Sequence, residues 1–583
     1  MNPPDSQRLF GARHWLWLVL FSVACVFVTK SQWSRGYIDF GDGNYMYISR
    51  RIAEGMTPYR DILIPQPPCH LFVGALVVQL SKAFDQLTPI LFFRGFSLGL
   101  HLVTFWLVVA LAFKAWRRAS TALLAGVIFL WLPIGFKWSL GYQSEPLEIF
   151  FLLLMVIFAL RGSVIGDLCA GLFAALAALT NATAAPFLLV MILFMFLHAP
   201  MRALRMSVAC LVPAGVVTAA LHVWTEGAFL QNVVLNQLGT YPPGIWKYAM
   251  YKLFGAGQAV STVLYLEGGF VIVALLGLWR FLRKSPLEPM NRAALGWFFI
   301  ATLCSIVYVT KGGTMDYIFS LADPAVAILA AGELVAWERR WRATAVMEPG
   351  VGLGLGSIPY IVPKVTAAAV LAGFALGPAI FFHLGLAHQR YYELDEIGVA
   401  KVRRVVHTYS QADEPILAPP FYAVDANRRL WGEYSELFIW TRKYDHAREI
   451  DDPEGEGWRK AREMAEAIGG RRIPLVILEM DQTGRISEVM TALQDHYLPI
   501  KPDGEAFLMW TNNTKLAFFR PTDQPEDDQG GQERAGQWEL FKLELIQVYG
   551  QVVQGRYGGW YHHMPSAPGA SAEASDPTEP GDE

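Results

Sequence analysis

YIDFGDGNYMYISRRIAEGMTPYRDILIPQPP, residues 37–68, is the stretch on which the reading of this chain turns. It follows the first long apolar run at once. Its 32 residues hold three aspartates (Asp39, Asp42, Asp61), three arginines (Arg50, Arg51, Arg60) and four tyrosines. It carries its own helix signal over residues 45–54 and stops at Pro67-Pro68. A solvated loop needs neither, so the stretch reads as a site built at a membrane surface. Asp42 precedes the helix-like segment as an N-cap would, and a cap is the plain structural use of such a residue. Gly41 and Gly43 flank it, which lets a ligand approach the backbone closely.

The surroundings support a membrane setting. Of 583 residues, 53% are hydrophobic, and the mean hydropathy is +0.30. Apolar runs of about 18 or more residues recur over the first two thirds, the mark of a polytopic α-helical membrane protein. The net charge of −3 gives no reason to expect a nucleic-acid partner. Cys25, Cys69, Cys169, Cys210 and Cys304 supply no disulfide framework or zinc knuckle. Arg8 and Arg13 precede the run 15–29 without a small-residue cleavage site, so this run reads as a signal anchor. Spans are expected at 14–30, 90–113, 119–137, 146–161, 165–181, 184–198, 204–222, 263–282, 293–311, 317–337 and 364–387, about eleven in all.

The apolar run 69–84 decides the sidedness. It is short, with about 12 apolar residues against the ~20 that a span needs. If it stays juxtamembrane or re-entrant, Lys114, Arg117, Arg118, Arg161, Arg202, Arg205, Arg280, Arg283, Lys284, Arg292, Arg339, Arg340 and Arg342 all fall inside. The outer connections after residue 95 then keep only Lys137, Lys247, Lys252 and Lys311. If it crosses, the positive-inside bias reverses. The first reading puts residues 142–145, the connection 224–261 and residues 311–316 on the same outer face as the opening stretch.

The division is therefore residues 1–390 as the transmembrane part, with a first outer loop at 31–89, and 391–521 as an outer α/β domain. Within the latter, 399–409 and 486–494 read as helices. Residues 415–419 and 473–480 read as short buried strands, and 506–519 as a hairpin around Asn512-Asn513. Residues 522–583 read as an acidic linker, a short patterned piece at 538–549 and a disordered tail.

Chemistry at the outer face needs acids and cations. Asp42 and Asp39, three apart, are candidate proton acceptors, as is Glu145 at the start of a span. There the helix dipole is the competing explanation. Glu148, one turn deeper, reads as structural. Arg60, Arg94, Lys137, Lys247 and Lys311 form a set suited to a phosphate, although any one alone is explained by snorkelling. Tyr45 and Asp61 join them as substrate-binding candidates. Glu267, Asp323 and Glu333 lie within spans and are suspects on that ground. Asn181-Ala-Thr and Asn512-Asn-Thr match glycosylation sequons, which occur often by chance. Nucleotide-binding GxxxxGK[ST] and metalloprotease HExxH patterns do not occur. A divalent cation is possible at clustered carboxylates, but no ligand set is legible and no cofactor is certain.

An Asp-containing loop after the first span, then Tyr45, then Gly55-x-x-Pro58-Tyr59-Arg60-Asp61, then Pro67-Pro68 opening an apolar helix, resembles the GT-C class of membrane glycosyltransferases. More narrowly it resembles the bacterial family-39/aminoarabinose-transferase-like group. Ala75, then Phe92-Phe93-Arg94 opening the next span, and the Glu145-Pro146 pair agree with that pattern over roughly residues 15–400. The family often carries adjacent Asp-Glu four residues before a Tyr. Here Gly41 and Asp42 stand there, which leaves both Asp42 and Asp39 open as the base. The resemblance implies sugar transfer from a polyprenyl-phosphate donor to a lipid, glycan or protein acceptor, at the periplasmic face of a bacterial inner membrane. It implies a first-loop acid as base or acceptor guide, basic residues on the lipid phosphate, and a C-terminal outer domain over the site. The rival readings are a lipid-linked-saccharide ligase or polymerase, which uses a long late loop, and a transporter, which predicts inverted repeats with polar residues at mid-membrane.

Overall fold

Long apolar helices dominate the first 350 residues. The computed structural model describes residues 11–33, 40–84, 89–139, 141–235, 245–305, 316–346, 396–480, 483–502, 504–510, 515–522 and 528–556. Among the described residues, five helices are long and apolar enough to cross a membrane: α1 (Ala12–Trp33), α4 (Pro89–Trp116), α10 (Pro200–Trp224), α12 (Ile245–Lys284) and α14 (Asp323–Val346). A bent pair, α5 (Ala119–Trp131) and α6 (Pro133–Ser139), makes a sixth if it counts as one span. Four other expected spans correspond to shorter helices: α7 (Glu145–Ala159), α8 (Val164–Thr180), α9 (Ala184–His198) and α13 (Pro289–Leu303). Three of these have 15 residues, about 22 Å of helix against a hydrocarbon core of about 30 Å. The expected span 364–387 lies outside the described residues, as does the tail from 557.

Two expectations about the membrane part need correction. The long connection expected at 224–261 is largely helical in its described residues. A three-residue turn α11 (Ala228–Leu230) and a π-turn (Gln231–Leu235) follow α10, and α12 is helical from Ile245. The span expected at 119–137 is broken by 61°. Pro133 has no N–H to donate and its ring obstructs the preceding turn, so the helix cannot run through it. Glu267 of α12 accepts from the Ile134 N–H at 2.7 Å, and the Asp323 carboxylate, at the head of α14, lies where a Gly135 Cβ would be. These two intramembrane acids thus brace the break. Glu333 is neutralised by Arg280 and by Arg340 at 2.8 Å. On α8, the wholly buried Asp167 is clasped by Arg202 at 3.0 Å and Arg205 at 2.6 Å.

The segment after the first long helix folds as α2 (Phe40–Ala53) and α3 (Cys69–Ser81), packed on each other. Residues 42–49 of α2 are all buried. Two glycines in the first turn each cost a helix about 1 kcal/mol, so burial rather than propensity holds α2. One side of α2 meets the membrane helices. The other meets the C-terminal part, because Met46, Tyr47 and Ile48 share one core with Val402, Phe421, Ile477 and Phe518.

That C-terminal part contains α15 (Glu396–Tyr409), α16 (Pro420–Asp425), α17 (Leu437–Glu449), α18 (Glu456–Gly469), β1 (Val476–Glu479), α19 (Ser487–His496), β2 (Tyr497–Ile500), β3 (Leu508–Trp510), β4 (Lys515–Pro521) and α20 (Asp528–Arg556). β4 is central and pairs antiparallel with β1, β2 and β3. Its alternation sorts the two faces: Leu516 and Phe518 join the core shared with α2, while Ala517 and Phe519 join a second core with Tyr444, Met464 and Trp538. Residues 415–419 form only isolated bridges rather than the expected strand. The acidic linker ends early, since α20 is helical from Asp528.

Candidate active site

The residues around Asp42 come from four separated segments. Asp42 is the third residue of α2 and fully buried, so it is not the expected N-cap. Its Oδ2 accepts from Arg94 Nη2 at 3.0 Å, and its Oδ1 accepts from the Tyr142 N–H at 2.6 Å. Arg94 sits in the second turn of α4, 1% exposed, with its guanidinium 5.8 Å from the Phe421 ring centroid. Gly141 also lies against the carboxylate, where a Cβ would be 3.4 Å from Asp42 Oδ1. Tyr142 packs against Phe93 at 4.6 Å, and its hydroxyl donates to the His70 carbonyl.

Glu145 opens α7 from the same corner and is buried. Its Oε1 accepts from Asn181 Nδ2 at 3.0 Å, and the same amide reaches Ser144 Oγ at 3.1 Å. Asn181 is 7% exposed, so this sequon asparagine is engaged inside the fold and is not the surface acceptor that the tripeptide suggests. Glu148 accepts from Thr183 Oγ1 at 2.8 and 2.9 Å, in keeping with a structural role.

Of the expected cations whose side chains are described, Arg94 lies on these acids, and Arg60 and Lys137 have other neighbours. Arg94 belongs to Asp42. Arg60 lies at the surface on Asp61, at 2.8 Å, and Glu226, at 3.3 Å. The hydrogen bond from Arg60 is the main reason that the Asp61 carboxyl is held below its ordinary range. This exposed pair has found its counter-charges locally. Lys137, on α6, lies 4.4 Å from the Trp138 ring centroid. Lys247 is on α12 with its side chain outside the described residues, and Asp39 and Lys311 lie outside them altogether. Tyr45 is buried edge-on against His70, with ring centroids 4.6 Å apart. Among the described residues no three His, Cys, Asp or Glu side chains come together to hold a metal ion.

The glycine beside Asp42 admits protein rather than ligand. A Cβ on Gly43 would lie 2.6 Å from Phe421 N and 2.8 Å from its Cα. Further along α2, Tyr47 donates to Glu433 Oε2 at 2.7 Å and accepts from the Leu430 N–H at 2.8 Å. Arg51 Nη2 donates to Glu433 Oε1 at 2.8 Å. Burial alone would pull the Arg51 guanidinium down, but Glu433 outweighs it and the group is raised. Asn44 donates to Glu436, 392 residues later. None of Phe421, Glu433 or Glu436 was legible as a site residue. The one signal was the dense charge of α2 itself, which demanded partners.

No protein-family model matches the chain, and no curated protein matches it. Solved structures do resemble it. ArnT from Cupriavidus metallidurans bound to undecaprenyl phosphate superposes with a TM-score of 0.54 at 13% identity, over 88% of this chain and 100% of that one. The apo state of the same enzyme gives 0.50 at 14% identity, over 86% and 97%. The Archaeoglobus fulgidus oligosaccharyltransferase tethered with an acceptor peptide gives 0.50 at 12% identity, over 88% and 75%. The chain is an integral membrane protein with the GT-C glycosyltransferase fold.

Proposed function

We propose that this protein transfers a sugar from a polyprenyl-phosphate donor to a lipid, glycan or protein acceptor at the outer face of a bacterial inner membrane. The observation that carries the reading is the buried Asp42 carboxylate, fixed between Arg94 and the Tyr142 N–H beside the Glu145 corner. One ArnT neighbour holds undecaprenyl phosphate, which favours the same class of donor here. In the reaction the acceptor oxygen bonds to the sugar's anomeric carbon as the bond from that carbon to the phosphate oxygen breaks. The acceptor proton passes to a carboxylate, Asp42 first and Glu145 second, and the pair of electrons leaves on the lipid phosphate. The chain's tasks are to hold the acceptor in line and to counter the charge of the departing phosphate. Lys137, Lys247 and Lys311 are the cations proposed for the second task.

The sidedness belongs to the same proposal: residues 69–84 do not cross, and the C-terminal part lies outside with α2. Labelling of a cysteine at position 116 from outside intact cells would contradict it. The direct test incubates purified protein with polyprenyl-phosphate sugars, alongside mass spectrometry of lipids, glycans and surface proteins from a deletion strain. A lost hexose or pentose with accumulated carrier supports the reading. Turnover of polyprenyl-pyrophosphate oligosaccharides alone would favour a ligase instead.

A further inference from the structure

We propose that Glu436 is a positioning residue for Asp42: its carboxylic acid and the Asn44 amide clasp each other face to face, and this clasp fixes the turn of α2 that carries the Asp42 carboxylate. The inference rests on the transfer reaction proposed above. Glu436 is 3% exposed, and its Oε1 accepts from Asn44 Nδ2. Asn44 Oδ1 is buried as well, and no donor reaches it in the structure. A buried carbonyl oxygen without a donor is costly. A carboxylic acid supplies the missing donor: its carbonyl accepts from the amide N–H while its hydroxyl donates a hydrogen bond to the amide oxygen. A carboxylate does only the first. Burial, opposed by the Asn44 hydrogen bond, pushes the Glu436 carboxyl up to about 8, so the acid form prevails at neutral pH.

The neighbouring charges have their own partners. On α2, Asp42 is held by Arg94, Arg51 by Glu433, and Tyr47 by Glu433 as well. On α16, Asp425 pairs with Arg403 at 2.6 Å. On α17, Lys443 pairs with Glu456 at 2.5 Å and Tyr444 donates to Glu488 at 2.6 Å. On α18, Lys460 pairs with Glu463 at 2.8 Å, and its ammonium lies 5.2 Å from the Tyr434 ring centroid. Asn44 is two residues beyond Asp42, and Gly43 between them is pressed against the Phe421 backbone. The clasp therefore acts beside the close contact of Gly43 with Phe421, between α2 and the C-terminal part. Loss of its proton sets a carboxylate oxygen against the Asn44 carbonyl oxygen and drives the two apart.

The test uses the full-length protein in bilayers, with Glu436→Gln and Glu436→Ala. Infrared difference spectra between wild type and Glu436→Gln, recorded from pH 5 to 10, read the acid carbonyl of this one residue without needing substrate. Transfer kinetics with a polyprenyl-phosphate sugar read its consequence. The acid band is expected at pH 7 and lost near pH 8. Wild-type kcat is expected to fall over the same range at unchanged donor KM. Glu436→Gln keeps the neutral rate and removes the fall, because an amide pairs with Asn44 at any pH. Glu436→Ala loses about tenfold or more in kcat, the scale of a displaced catalytic group. An acid band missing at pH 7, an alkaline fall retained by Glu436→Gln, or a Gln variant as slow as the Ala variant at pH 7 would each overturn the inference. If the band appears but no polyprenyl-phosphate sugar is consumed, the transfer reading fails while the clasp stands.

Discussion

Asp42→Asn is the substitution that tests the site most sharply, and the geometry changes what it should do. Were Asp42 a cap, Asn would replace it at little cost. It is instead half of an ion pair whose side chains are 0% and 1% exposed, 3.0 Å apart. At an effective dielectric constant of about 20, that separation corresponds to an attraction of roughly 5 kcal/mol, before the desolvation that opposes it. Asn keeps an oxygen for the Tyr142 N–H but turns an N–H₂ toward Arg94, donor against donor. Breaking one partner of a buried pair costs about 3–5 kcal/mol, most of it the stranded charge. Arg94→Met should cost a similar amount. The double variant removes both charges, so it should fall short of the sum by about 2–3 kcal/mol. Reversible denaturant unfolding in bicelles measures all four corners of this cycle. Strict additivity, or an Asp42→Asn protein as stable as wild type, would refute the buried pair. Activity is then read in the double variant, where neither charge is left stranded. A base at Asp42 predicts a deficit of about 10²-fold or more there, in line with general-base contributions.

The other expectations concern single contacts. Glu145→Gln keeps an acceptor for Asn181 and should fold normally, so a fall in kcat at unchanged donor KM would mark its carboxylate as chemical, and full turnover would return it to structure. Gly43→Ala gains about 1 kcal/mol of helix propensity but meets backbone atoms at 2.6–2.8 Å, an overpacking cost of roughly 1–3 kcal/mol. The net loss should appear as faster hydrogen exchange in α2 and α16. Asp167→Ala strands Arg202 and Arg205, which are partly exposed, so a loss of about 2 kcal/mol is expected in the same unfolding assay. For Glu436 the folded carboxyl is raised from 4.5 to about 8, so the folded state binds its proton more tightly than the unfolded state does. That contribution is complete below pH 4.5 and is lost as pH rises toward 8, at about 1.4 kcal/mol per unit. Glu436→Gln should flatten the stability profile over that window, measured by unfolding at fixed pH steps.

The sequence by itself determined what depends on local periodicity and composition. Runs of apolar residues gave the helices of the membrane part, because each span must satisfy its backbone internally and face lipid along its length. A short apolar run gave β1, a hairpin pattern gave β3 and β4, and the polar density of residues 37–68 marked α2 as a place that needed partners. Its acids were visible as acids, but not what holds them. The partner of Asp42 lies 52 residues away, its backbone donor 100 and the partner of Asn44 392. No periodicity spans such separations. Only tertiary packing made Asp42 a buried ion-pair member instead of a cap, turned Gly43 into the seat of Phe421, and spent Arg51 on Glu433. The physical reason is common to all three: a charge or a missing side chain states a requirement, and the fold decides which distant group meets it.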